Sequence, residues 1–241
     1  MRRKGSIASS SPFSGASEPV ILSAAGAKDL LWRAAARRIV RLAALGLVVA
    51  LLPFLVLVKV AVFLYGREGW STVLALAGGT ACTAVVVTAY AAWVWHWLTG
   101  RVRLALVARR IALPFALAYS AYAVIYLSSA NAKSERVRAY YASLHPLLRV
   151  ALSTLILADR DLVVTDLARG PEDYATMGLA PNDGSLHYVQ RDGYAHAADL
   201  RTAGCGMLTN RLVQLYFWSM GFGTLRHTGT SDHLHVELPV R

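Results

Sequence analysis

The stretch SLHYVQRDGYAHAADLRT, residues 185–202, concentrates two histidines and two aspartates in a chain with only seven histidines. A second stretch, SDHLHVEL at 231–238, adds Asp232, His233, His235 and Glu237. A metal site gathers ligands from segments far apart in sequence, so the fold of this region turns on how the two stretches meet. In an extended strand, residues two apart share a face, and His233 and His235 therefore point the same way. His196 precedes Asp199 by three positions, an odd offset that sends the two side chains to opposite faces. His187 lies across from Asp199 if a hairpin turns near 191–193. His187 and Asp199 are the expected pair, with His196 outside the site.

The flanking segments complete a domain. DLVVTD (161–166) reads as a short buried strand, TNRLVQLYFWSMG (209–221) as a helix closed by Gly221, and FGTLRH with HLHVELP as a hairpin across TGTSD. The two halves of 185–202 read as another hairpin around RDG. Upstream, SERVRAYYASLHPLLRVALSTLILAD reads as helix, with Pro146 placed to start a new one after His145. Helices mixed with hairpins imply an α+β domain with an antiparallel sheet over 133–241.

The first part of the chain has a different character. Hydrophobic residues make up 56% of the protein, and the apolar runs lie near 42–65, 72–98 and 111–129, each long enough to cross a bilayer core of about 30 Å. An all-α transmembrane region of about three helices, 39–132, is expected behind a disordered basic tail, 1–38. Residues 1–128 carry 14 Lys and Arg against 3 Asp and Glu, while 129–241 carry 11 against 11, so the net charge of +11 belongs to the membrane part. Basic residues flanking apolar runs report membrane orientation, which argues against a nucleic-acid partner. Arg33, Arg37, Arg38 and Arg41 precede the first run, and Arg101, Arg103, Arg109 and Arg110 follow the second. The N-terminus and second loop are therefore expected in the cytoplasm, the first run is expected to be a retained anchor, and an odd number of spans exports 133–241. Lys59, near the end of the first run, is placed to reach the interface. Cys82 and Cys205 are not expected to pair; Cys205 reads as a small packing residue, and His145 and His227 as polar surface positions.

SLH followed by AADLR, and later DHLHVE, resembles the zinc peptidase superfamily of D-alanyl-D-alanine carboxypeptidases, D-Ala-D-Ala dipeptidases and phage L-alanyl-D-glutamate endolysins. The hedgehog signalling domain shares that fold. The resemblance covers about 145–241, and it implies zinc (Zn²⁺) held by His187, Asp199 and His235. It further implies Asp232 as general base, His233 as a stabiliser of the charged intermediate, and Arg169, in VVTDLARG, as the substrate-polarising arginine. Eleven residues separate His187 from Asp199, more than the family's usual gap, and an extension confined to a turn costs little. The function so implied is amide hydrolysis in peptidoglycan peptides by a bilayer-anchored zinc metallopeptidase. The alternative is an inactive zinc-stabilised module that binds cell wall or protein.

Overall fold

The computed structural model describes residues 24–176, 178, 180, 184–229 and 232–239; the expected tail over 1–23 lies outside the described residues. The chain divides into two compact units, Met1–Val48 and Val49–Arg241. The described part of the first unit is the beginning of α1, Ala24–Gly66. Residues 24–38, expected in the tail, are therefore helical, because Ala, Leu and Arg dominate them and all favour helix.

Among the described residues, three helices are long and apolar enough to cross a membrane. The first is within α1. The second is α2, Thr72–Thr99, which ends at Gly100 in the left-handed conformation that a residue without Cβ adopts freely. The third is made of α3, Leu104–Val107, a π turn over Ala108–Ala112, and α4, Leu113–Ile125. It starts seven residues before the expected boundary at 111 and takes Arg109 and Arg110 into the helix. The π turn precedes Pro114, which cannot donate to the helical ladder, and a locally widened turn absorbs that break. Small residues bring the helices together: a Cβ on Gly79 would stand 2.7 Å from the Leu57 backbone oxygen. Thr83 Oγ1 donates to Pro53 O at 3.1 Å, and Thr80 and Ser120 share a hydrogen bond of 2.9 Å.

After α4 come α5, Glu135–Ala139, and α6, Pro146–Ala158, the latter buried along nearly its whole length. Then follow β1, Val164–Asp166; α7, Pro171–Thr176; β2, Ala197–Arg201; α8, Met207–Met220; β3, Gly223–His227; and β4, His233–Glu237. The sheet is antiparallel with order β1-β2-β4-β3. Ala198, Leu200, Leu234 and Val236 point into one core with α6 and with Phe217 of α8. The expected first hairpin is not a pair of strands. Residues 186–196 form a closed loop, with His196 N–H donating to Leu186 O at 2.7 Å and Gln190 N–H to Tyr194 O at 2.8 Å. β2 is an interior strand, and both of its edges are taken, by β1 and β4, which leaves 185–190 no ladder to join.

The domain is fastened to the helix ends. Arg149 Nη1 donates to Val124 O at 2.8 Å, and Tyr141 Oη to Ala123 O at 2.9 Å. Lys59 Nζ donates to Ser219 O at the end of α8, at 2.7 Å. Thr72 Oγ1, on the first residue of α2, lies 3.0 Å from His145 Nε2. These contacts put the domain at the end of the bundle that carries loop 67–71, as an odd number of spans requires.

Gly79→Ala is expected to lower the thermal midpoint of the detergent-solubilised protein, at a cost of about 1–3 kcal/mol for an overpacked contact. An unchanged midpoint would mean that α1 and α2 separate freely at this point.

Candidate metal centre

Strand register builds the site. Asp199 of β2 stands opposite His235 of β4, and Arg201 opposite His233. Along β4 the alternation leaves His233, His235 and Glu237 half-buried on one face, with Leu234 and Val236 in the core on the other. His187 arrives from the closed loop instead of a strand. Its backbone oxygen accepts from Arg169 N–H at 3.0 Å, and its Nδ1 bonds Leu167 O. A carbonyl can only accept, so Nδ1 carries the proton and the Nε2 lone pair faces the site.

Three atoms converge there. His187 Nε2 lies 3.3 Å from His235 Nδ1 and 3.3 Å from Asp199 Oδ1, and His235 Nδ1 lies 2.9 Å from Asp199 Oδ1. Ligands bonded at about 2.0–2.1 Å around a tetrahedral ion stand about 3.3 Å apart. The group can therefore hold a metal ion with little movement. The outer contacts also fit, because a metal-bound imidazole usually donates its other N–H to a carboxylate or carbonyl. His187 has Leu167 O for this, and His235 Nε2 has Glu237 Oε2 at 3.4 Å.

Arg169 is committed elsewhere than to a substrate. Its Nε donates to Asp166 Oδ2 at 2.6 Å and its Nη2 to Asp199 Oδ2 at 2.5 Å. It thus orients the second oxygen of the Asp199 carboxylate, while Asp166, at the end of β1, holds the guanidinium from its other side. Burial opposes the charge on Asp199, yet the adjoining imidazoles of His187 and His235 and the guanidinium of Arg169 hold its carboxyl well below the usual range. The hydrogen bond to Asp199 raises His235 above its ordinary value, against the effect of burial.

The other expected residues divide. His233 Nε2 is 3.8 Å from Asp199 Oδ1, at the rim of the site, and its ring stacks on His227 with centroids 4.7 Å apart. His227, expected as an ordinary surface position, thus forms part of the rim. Asp232 faces other partners: Arg226 Nη2 at 2.9 Å and Thr202 Oγ1 at 2.6 Å. Those two hydrogen bonds, Arg226's first, hold its carboxyl below the ordinary range. Cys205 is exposed instead of packed.

A second group, His145, Asp192 and His196, also brings ligand-type atoms within reach of one ion. It corrects the surface reading of His145, which is fully buried. His145 Nδ1 accepts from Leu147 N–H at 3.3 Å, so its proton sits on Nε2 and is donated to Thr72 Oγ1. Burial, followed by the neighbouring His196, pushes His145 down to about 3 and keeps it neutral. His196 spans Leu238 O at 3.2 Å and Asp192 Oδ2 at 2.8 Å. Through Asp192, His196 and His145 this second group ties the loop to the start of α2.

Comparison with protein-family models, curated proteins and solved structures finds no match for this chain.

In the metal-free protein, one proton on His235 Nδ1 occupies the space a metal would take. The folded pKa of His235 is raised, so its pairing with Asp199 adds stability that is complete below about pH 6.5 and is lost as pH rises through the raised value. A metal displaces that proton. Divalent-metal affinity of the full chain in detergent, read with a competing chelator, should therefore rise from about pH 6 to about pH 8 with a slope near one proton per ion. A flat profile would place the metal elsewhere.

Proposed function

We propose that the protein is a membrane-anchored zinc metallopeptidase that hydrolyses amide bonds in peptidoglycan stem peptides. One observation carries this reading: His187 Nε2, Asp199 Oδ1 and His235 Nδ1 stand 2.9–3.3 Å apart, each fixed from behind by a further hydrogen bond. Two imidazoles and one carboxylate with an open fourth position are the ligand set of a catalytic zinc, and the set agrees with the resemblance to the D-Ala-D-Ala peptidase and hedgehog fold. The arginine bias around the spans supports a cytoplasmic N-terminus and an exported domain, where peptidoglycan peptides are the amide substrates at hand.

Zinc, when bound, polarises the scissile carbonyl and acidifies a water. Asp232, three residues before His235, is the proposed proton carrier; Arg226 and Thr202 keep it ionised, as a base must be, and it has to turn from them to act. In this reading His233, at the rim beside Asp199, hydrogen-bonds the developing oxyanion, and Arg169 positions Asp199. The same engagement of Asp232 favours a second reading, a zinc-stabilised binding module without catalysis.

Full-length protein in detergent is expected to hold near one equivalent of zinc by elemental analysis. His187→Ala, Asp199→Ala and His235→Ala should lose it by at least about tenfold, and His196→Ala should keep it. Wild type should cleave purified stem peptides, seen by mass spectrometry, and Asp232→Asn should slow cleavage by about a hundredfold or more with zinc retained. Zinc-loaded protein that leaves every stem peptide intact would select the binding module.

A further inference from the structure

Helix α8 is apolar on two opposite faces. Val213 and Phe217 enter the core, together with Asn210, whose amide donates to Thr202 O. On the far side, Met207, Leu208, Leu212, Leu215 and Trp218 fall within an arc of about 140° at 100° per residue. Each of the five is more than half exposed, and Thr224 of the edge strand β3 borders the patch beside Leu215 and Trp218. A soluble domain carries polar residues on such a face, so this one is built for a cover.

Its position along the spanning helices says which cover. Lys59, bonded to Ser219 O at the end of α8, lies seven residues before the end of α1 at Gly66, about 10 Å along the axis. Tyr119, whose hydroxyl bonds Thr154 of α6 at 2.9 Å, lies six residues before the end of α4 at Ile125, about 9 Å along its axis. Tyr216 of α8 donates to Ala151 O of that same α6 at 2.9 Å. Two separate spans therefore put the lower edge of the domain at one depth, well below the helix ends. That depth is where a lysine side chain reaches the headgroups and where tryptophan collects. The outer face of α8 is continuous with this edge, and Arg211, exposed on the same face, suits an anionic headgroup.

We infer that α8 is an interfacial helix whose outer face, from Met207 to Trp218, beds into the headgroup and acyl boundary of the bilayer, so that the sheet domain is pressed on the membrane surface and not held away from it. The inference stands apart from the metal reading and holds for a catalytic or a binding domain alike.

The test uses the full chain with Cys82→Ala and Cys205→Ala, reconstituted in nanodiscs of phosphatidylcholine and phosphatidylglycerol. A nitroxide is attached at Leu212→Cys or Leu215→Cys, with Val85→Cys, exposed in the middle of α2, as the lipid reference. Collision with oxygen is compared with collision with a water-soluble nickel chelate. The expected oxygen-to-nickel ratio at both α8 positions is below that at Val85 and at least about threefold above that of the same nitroxide free in water. Ready access of the nickel chelate would place the face in water and overturn the inference. Exclusion of both reagents, with spin–spin broadening, would make the cover a second copy of the chain and overturn it equally.

Discussion

The pairing of β2 with β4 is the constraint on which the site depends. Antiparallel register sets Asp199 across from His235, and a shift of one residue would send His235 into the core and Leu234 to the site. The register is held by what it buries. Leu200, Leu234 and Val236 are almost wholly inaccessible, and losing their burial would cost several kcal/mol. The polar face is thus positioned by the apolar one. Arg169 then fixes Asp199 from the other side, through the carboxylate oxygen that does not face the histidines.

His187 needs a different device because it is in no strand. The loop from 186 to 196 closes on itself through its own backbone, and its length is taken up away from the site, at the turn around Gly193. That turn places Asp192 beside His196 and His145, so the extension between His187 and Asp199 becomes the piece that reaches toward α2. A segment that looks like an interruption of the site in sequence is a brace between domain and membrane helices in the fold.

How much of this was legible follows from the range of each interaction. The spans, the β3–β4 hairpin and the helix closed by Gly221 are written in local patterns: apolar runs, alternation, a glycine with positive φ. Strand parity set His196 apart, but the hairpin expected to pair His187 with Asp199 does not form, and His235 joined them only through the family resemblance. The closed loop was misread as a hairpin, since alternation cannot tell whether a neighbouring strand has an edge to offer. The burial of His145 had no local signal, because its partner Thr72 lies 73 residues away and in a different helix. The engagement of Asp232 by Arg226 was equally silent, as it depends on which side of the β4 entry the carboxylate leaves the chain.

Charge balance closes the account of the site. With both histidines neutral, the hydrogen-bonded group contains Asp166, Asp199 and Glu237 against the single guanidinium of Arg169, a net of two negative charges. Protonating His235 neutralises half of that, consistent with the upward displacement of its pKa, and leaves the rest to solvent at the half-buried Glu237. A divalent cation at the convergence of His187 Nε2, Asp199 Oδ1 and His235 Nδ1 neutralises all of it while displacing one proton. Buried charge is tolerated only when it is paired, and here Arg169 pairs both Asp166 and Asp199 while His235 takes up the remaining oxygen of Asp199.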